Sequence, residues 1–179
     1  MASVILNGDT SGSVTISPPA VAGTQTVTLP AASGVLQVSG NMPAFSVWQA
    51  NSQTIPNGVY TKVIFDTEEF DTNNNFASNR FTPTVAGYYA ITAYLELSPT
   101  VEILPAIYKN GTQYKRFLYN TNATSSGFNM WGGTISSIYM NGSTDYIELY
   151  VYQSSAGTSK NTGANQQTTY MTGTMTRAA

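Results

Sequence analysis

The densest group of titratable side chains in the sequence is a run of four carboxylates, Asp66, Glu68, Glu69 and Asp71. Several oxygen ligands at short range could bind Ca²⁺, and a carboxylate pair could serve as the acid and base of a glycosidase. Alternation along an extended chain, however, separates Asp66 and Glu68 from Glu69 and Asp71. We therefore expect a solvated acidic loop without a metal site, and calcium binding is the open alternative.

Other catalytic groups are missing from the sequence. The 179 residues include no Cys and no His, which excludes disulfides, thiolate nucleophiles and the usual general base near neutral pH. No Gly-rich phosphate loop or nucleophile elbow occurs. The one adjacent basic pair, Lys115-Arg116, either meets an acidic partner or keeps an edge strand soluble. The sequence thus predicts a protein that is not an enzyme, with no catalytic residues and no cofactor.

The composition indicates where such a chain would work. Only 9% of the residues are charged, against roughly 25% in an average domain, so Thr, Ser, Asn, Gln and Gly must cover the surface. Extracellular adhesive modules and virion proteins often have this composition. The net charge of -2 does not indicate binding to nucleic acid. No apolar run approaches the roughly 20 residues that are needed to span a membrane. With no visible signal peptide, we expect assembly in the cytoplasm of a host cell.

Hydrophobic periodicity predicts an all-β chain, because no window keeps apolar residues at helical spacing. Turn residues separate short strands as in a sandwich or barrel. Asn110-Gly111 is a type I′ hairpin candidate, and the polar segment from Ser154 to Gln167 is predicted to be a mobile loop. The strands expected after residue 40 are Ala44–Trp48, Thr61–Phe65, Arg80–Phe81, Gly87–Leu97, Ile103–Lys109, Gln113–Tyr119, Gly133–Met140, Asp145–Gln153 and Thr168–Thr176.

The first 40 residues differ from the rest because they contain no aromatic side chain. We predict a β-rich N-terminal arm over residues 1–40, with strands at Ser13–Ser17, Thr24–Leu29 and Val35–Val38, followed by one domain over residues 41–179. The arm has too few large apolar groups to bury a core of its own, so it should pack against a partner. The residues expected to attach it to a particle are Val14, Ile16, Val27, Leu29, Val35 and Leu36.

Two predicted strands have one aliphatic face and one tyrosine-bearing face. In Gly87–Leu97 the aliphatic face belongs in a core and the other carries tyrosines; Asp145–Gln153 repeats the arrangement. Tyr combines a large apolar body with a hydroxyl that tolerates water, which suits an interface better than an ordinary surface. The residues predicted to form a trimer interface are Tyr88, Tyr94, Tyr146, Tyr150 and Tyr152.

A series of short motifs runs in order from residue 43 to residue 177. Asn79-Arg80-Phe81-Thr82 and Ala86-Gly87-Tyr88-Tyr89 precede Ala106-Ile107-Tyr108-Lys109-Asn110-Gly111, and Tyr170-Met171-Thr172-Gly173-Thr174-Met175 closes the series. This order resembles the C1q/TNF-like jelly-roll family, although Ala86 stands where the family usually has Pro. The resemblance implies a two-sheet antiparallel jelly roll that assembles as a homotrimer, with aromatic and aliphatic residues along its axis.

The N-terminal stretch, from Gly12 to Gly34, is similar in composition to repeats in tailed-phage virion proteins. We therefore expect a bacteriophage structural protein: a trimeric knob that decorates or cements the capsid, with the major capsid protein or another virion protein as partner. One alternative is a tail-fibre or spike tip that binds a host surface glycan or protein, although a fibre usually needs a longer shaft. Another is a secreted bacterial C1q-like lectin with a calcium site.

Overall fold

The computed structural model describes residues 3–21, 23–24, 26–28, 31, 37–98, 102–118 and 129–179. The chain forms two compact units, Met1–Gly34 and Val35–Ala179. Within the described residues there is no α-helix, and a single 3₁₀ turn covers Ser39–Asn41. No helix in that part of the chain is long and apolar enough to cross a membrane. The predicted boundary at residue 40 falls a few residues after the division between the units.

In its described residues the first unit forms an antiparallel hairpin of β1 (Val4–Asn7) and β2 (Ser13–Ile16). Of the six residues expected to attach the arm, Val14 and Ile16 lie in β2, and Val27 is exposed outside any strand. Leu29, Val35 and Leu36 lie outside the described residues. The strands predicted at 24–29 and 35–38 are wrong for the residues that are described there, because residues 24, 26–28, 37 and 38 have no strand partner.

The second unit consists mainly of two antiparallel sheets. The five-stranded sheet has the order β12 (Asn129–Met140), β9 (Gly87–Leu97), β15 (Tyr170–Ala178), β3 (Ala44–Trp48) and β6 (Thr67–Asp71). The six-stranded sheet has the order β11 (Thr112–Arg116), β10 (Glu102–Lys109), β13 (Ile147–Ser154), β8 (Arg80–Phe81) and β7 (Phe76–Ala77), and β5 (Thr61–Lys62) also pairs with β13. A two-stranded sheet joins β4 (Thr54–Ile55) to β14 (Lys160–Asn161).

The core lies between the two large sheets, because alternate residues of each strand point inward. In β9 every second residue from Gly87 to Leu97 is buried, as the sequence predicted. Phe45 stacks on Phe81 with ring centroids 4.4 Å apart, and the ring of Tyr89 meets Phe81 edge-on at 5.5 Å. Each such fully buried side chain stabilises the fold by about 1.5–3 kcal/mol. The predicted all-β, two-sheet antiparallel sandwich is confirmed.

The predicted hairpin at Asn110-Gly111 is also confirmed. Asn110 (φ 53°) and Gly111 (φ 77°) both adopt left-handed backbone and join β10 to β11, with Lys109 opposite Thr112. This is the geometry of a type I′ turn. The Asn110 side chain donates to Asp145 Oδ1 (2.8 Å) and accepts from the backbone N of Tyr146 (2.9 Å). The turn is therefore tied to the start of β13.

Two segments predicted to be loops contain strands. Glu68, Glu69 and Asp71 of the acidic run lie in edge strand β6, which pairs with β3, so the prediction of an acidic loop is wrong for these three residues. The segment predicted as a loop from 154 to 167 includes β14, and Gly163 N donates to Glu96 O (2.9 Å). Thr162 also donates through Oγ1 to the buried amide oxygen of Gln49. These contacts join distant parts of the chain, which short-range sequence patterns do not register.

Candidate functional site

Aromatic side chains cross the outward face of the five-stranded sheet in register. Tyr94 of β9 lies opposite Tyr170 of β15, and Tyr170 lies opposite Trp48 of β3. The Tyr94 and Tyr170 ring centroids are 5.6 Å apart. On the other side of Tyr94 stands Gly132 of β12, where a Cβ would overlap the backbone oxygen of Ala93. Glycine there lets β12 approach β9 closely beside the aromatic row.

A second aromatic pair lies further along the same face. Tyr88 and Tyr139 are cross-strand partners with ring centroids 5.5 Å apart, and they are 37% and 43% exposed. Between this pair and the first row the side chains are small and neutral: Ala90 is flanked by Thr92, whose hydroxyl lies 2.8 Å from that of Thr134. The centre of the face is thus free of charge, as the centres of protein interfaces usually are.

Strand β12 provides a sheet edge beside this face that has no charged residue of its own. It is 12 residues long, contains no charged residue and no Pro, and pairs on one side with β9. In the described part of the chain nothing pairs with its other side. The opposite edge, β6, carries Glu68, Glu69 and Asp71, and the edge strand β11 carries the pair Lys115-Arg116. Charged side chains block edge-to-edge pairing, so β12 is the edge left open to a partner, except near Tyr139, whose backbone O accepts from Lys109 Nζ (2.7 Å). We define the association surface as the outward residues Trp48, Tyr88, Ala90, Thr92, Tyr94, Thr134, Tyr139 and Tyr170 together with the free edge of β12.

The outward face of the six-stranded sheet carries a second tyrosine cluster. Tyr108 and Tyr150 stack at 4.0 Å, and Tyr60 lies 5.9 Å from Tyr108 and 5.4 Å from Tyr152. Burial raises the pKa of Tyr150, and the nearby Glu148 carboxylate adds to that rise. These rings therefore cover their own sheet and are partly buried by one another.

Next to this cluster a buried carboxylate is shared by two cations. Glu148, whose side chain is 6% exposed, lies 2.9 Å from Lys62 Nζ and 3.9 Å from Arg80 Nε. Arg80 stacks its guanidinium over the Tyr146 ring, 4.5 Å from the centroid. The side chain of Arg80 is 41% exposed, while its Nε is buried without a hydrogen-bond acceptor. The single negative charge of Glu148 therefore faces the two positive charges of Lys62 and Arg80.

Comparison with known proteins establishes the fold. No family model matches the sequence, and no curated protein matches it. Solved structures do match. They include murine APRIL (8% identity, TM-score 0.58, 75% of this chain and 98% of that chain) and the globular domain of zebrafish complement 1qA (14%, TM-score 0.54, 76% and 99%). Eiger TNF from S. frugiperda also matches (8%, TM-score 0.53, 77% and 93%). The chain has a TNF/C1q-like jelly-roll fold. At these identities the likeness extends to the fold alone.

The jelly roll divides the five tyrosines that were predicted to form one interface. Tyr88 and Tyr94 lie on the association surface of the five-stranded sheet. Tyr146 precedes β13, and Tyr150 and Tyr152 lie within it, so all three belong to the opposite sheet. The structure therefore does not bring the five together. Period-two alternation in each strand was visible in the sequence, but the assignment of strands to sheets was not.

Three aromatic members of the association surface did not figure in the predicted interface: Trp48, Tyr139 and Tyr170. All three lie in strands that the sequence predicted. Alternation within the strand predicted at 168–176 places Tyr170 on the face that points away from the buried Met171. The sequence did not show that β15 pairs with both β9 and β3, and this pairing places Trp48 and Tyr170 in one row with Tyr94.

The acidic residues of the jelly roll serve separate local contacts. Asp66 accepts hydrogen bonds from Ala50 N (2.6 Å) and from the backbone and side chain of Asn51. Burial alone would raise the pKa of Asp66, but these hydrogen bonds outweigh it and lower the pKa. Glu69 accepts from Ser46 Oγ (2.8 Å), and Asp71 accepts from Phe76 N (2.6 Å). Among the described residues no three acidic side chains converge on one point.

Proposed function

We propose that the jelly roll is a structural module that works by assembling as a homotrimer through the association surface. The observation that carries the proposal is the continuity of an aromatic face with an uncharged centre and a long sheet edge whose own residues carry no charge. Interface centres are poor in charge and rich in aromatic side chains, whereas an exposed uncharged edge on a monomer invites aggregation. A surface of this kind is therefore best explained by a partner that covers it.

The geometry favours a closed ring over a twofold dimer. The outward face and the free edge of β12 are different surfaces, so placing the edge of one copy against the face of the next makes a heterologous contact. Heterologous contacts generate rings when the rotation closes. Three copies is the number that the resemblance to the C1q/TNF-like family implies, and both surfaces would then be used by every copy.

We further propose that the trimer is a structural component of a bacteriophage particle, a knob that decorates or cements the capsid. Support comes from the charge-poor composition without Cys or His, and from the similarity of the N-terminal stretch to phage virion repeats. The β1–β2 hairpin supplies the surface for attachment in this proposal. Cross-strand pairing sets Val4 opposite Ile16 and Leu6 opposite Val14, so four exposed aliphatic side chains share one face of the ribbon.

This proposal is tested on intact particles by cryo-microscopy. We expect threefold density for the chain on the capsid lattice; density confined to the tail would contradict the decoration role. Val14→Asp places a charge on the aliphatic face of the ribbon and should abolish incorporation into particles. Thr15→Asp, which adds the same charge to the opposite face, is the matched control and should be incorporated normally. Equal incorporation of both variants would contradict attachment through the aliphatic face.

A further inference from the structure

Basic residues are concentrated on one sheet of a chain that is acidic overall. The protein has seven Lys and Arg and a net charge of -2, yet five of the seven lie in strands of the six-stranded sheet: Lys62, Arg80, Lys109, Lys115 and Arg116. Two of them are neutralised by buried acids, since Lys62 pairs with Glu148 and Lys109 pairs with Asp145, both at 2.9 Å. Arg80, Lys115 and Arg116 then outnumber the one further acid of these strands, Glu102.

Two of these cations flank the stacked tyrosines. Arg116 lies opposite Ala106 on the outward side of β11, and Arg80 lies over Tyr146 at the other side of the cluster. Burial raises the pKa of both Tyr108 and Tyr150, but the positive charge of Arg116 opposes the rise at Tyr108 and that of Arg80 opposes it at Tyr150. The stacked pair is therefore within the electrostatic reach of a guanidinium on each side.

The Arg80 side chain is held in place, but its nearest carboxylate is shared with a second cation. Stacking on Tyr146 fixes its plane, and Glu148, the carboxylate nearest to it, is hydrogen-bonded to Lys62 Nζ. A planar guanidinium presents a rigid fork of donors that matches a carboxylate. The guanidinium of Arg80 is thus already oriented to bind an anionic group of a ligand.

We infer that the outward face of the six-stranded sheet binds an acidic polysaccharide. Sugar rings would pack against the edges of the Tyr108 and Tyr150 rings, with hydroxyls within reach of the phenolic oxygens. Carboxylates on those sugars would pair with Arg80 and Arg116. Nucleic acid fits the face less well, because proteins that bind it commonly neutralise about six to ten phosphates and only three cations are in excess here.

The site does not depend on the proposed trimer. It lies on the sheet opposite to the association surface, so a monomer carries it intact and a trimer would present three copies. Three copies would raise the avidity for a polymer without changing the affinity of each copy. Loss of trimerisation and loss of polysaccharide binding are therefore separately observable.

The test is affinity electrophoresis of the full chain in gels that contain alginate, a polymer of uronic acids, or neutral dextran. We expect retardation by alginate and none by dextran. Arg80→Gln and Arg116→Gln should each weaken retardation about tenfold in apparent affinity, the effect of one lost charge-assisted contact. Arg177→Gln removes the same charge from the five-stranded sheet, where Arg177 lies opposite Tyr88; with its mass in solution unchanged by light scattering, this variant should keep the affinity within about twofold.

Several outcomes would overturn the inference. Equal weakening by Arg177→Gln would show attraction by overall charge, and equal retardation by dextran would show that carboxylates are not recognised. Retention on single-stranded DNA as strong as on alginate would assign the face to nucleic acid. Because Arg80→Gln leaves Glu148 with one cation fewer and could lower stability, Arg116→Gln, on an exposed edge strand, decides the matter if the first variant does not fold.

Discussion

Tyr94 and Tyr170 are direct cross-strand partners on β9 and β15, and their ring centroids lie 5.6 Å apart on the side of the sheet that faces away from the core. Their neighbours in the two strands, Leu95 and Met171, are fully buried. The same two strands therefore build the core with one face and a tyrosine row with the other. Packing of the core does not require that row, which is why we assign it to association.

Ala90→Arg tests the face directly. Ala90 is small, half-buried and points away from the core in the middle of β9, so the substitution should leave folding unchanged. In a trimer each edge-to-face contact would bury one unpaired cation near its centre, and a buried charge without a partner costs several kcal/mol. Sedimentation velocity should therefore show loss of the assembled species.

Thr112→Arg is the matched control for that experiment. Thr112 is exposed next to the hairpin turn of β11, on the other sheet, and the added charge is the same. The variant should sediment like the wild type. If Ala90→Arg also sediments like the wild type, the association surface is assigned to the wrong face.

The hairpin turn makes a second prediction. Gly111 has φ 77°, a left-handed conformation that costs a residue with a Cβ about 1–2 kcal/mol. Gly111→Ala should lower the free energy of unfolding by that amount in urea titrations. Gly40→Ala is the control, because a Cβ at residue 40 meets open space and the backbone there is not left-handed. Equal destabilisation by both substitutions would contradict the turn geometry.

The features that the sequence predicted correctly are local. Alternation over eleven residues predicts β9 with its bounds, because each side chain reports which face is buried. Asn110-Gly111 predicts its turn, because few residues tolerate left-handed backbone. The failures are non-local: β6 pairs with β3, and β14 pairs with β4 across more than one hundred residues of chain. Neither pairing leaves a periodic pattern in two to five residues of polar sequence.

Tyr89 gives a third prediction, at high pH. Its fully buried hydroxyl donates to Val85 O (2.7 Å), and burial raises the pKa of Tyr89 from 10.0 to about 12. In the unfolded chain the phenol ionises near pH 10, while in the folded chain it keeps its proton until about pH 12. The stabilisation from this group is therefore complete below pH 10 and is lost as the pH rises through 12.

Tyr89→Phe separates this effect from general alkaline unfolding. At pH 7 the variant should be less stable by about 1 kcal/mol, the net contribution of one hydrogen bond. Between pH 9 and 12 its free energy of unfolding should fall less steeply than that of the wild type. Tyr114→Phe, at an exposed position on β11, should follow the wild-type curve. Parallel curves for Tyr89→Phe and wild type would contradict the buried, proton-retaining state of Tyr89.

The sequence predicted that a tyrosine-bearing face forms the candidate site, but it did not identify which tyrosines share that face. The sequence shows that tyrosines share the outward face of a strand, since alternation fixes faces. It does not show that β9 and β13 belong to different sheets, so Tyr88 and Tyr94 were grouped with Tyr146, Tyr150 and Tyr152. The edge position of β12 was equally hidden, because an edge is defined by the absence of a neighbouring strand, here among the residues that the structure describes.

The proposed function of this jelly roll rests on its assembly as a trimer. Light scattering on the full chain at micromolar concentration, coupled to size-exclusion chromatography, measures the mass in solution. We predict a single species at three times the 19.2 kDa mass of one chain. A species at 19.2 kDa that persists as the concentration is raised would contradict assembly as a trimer.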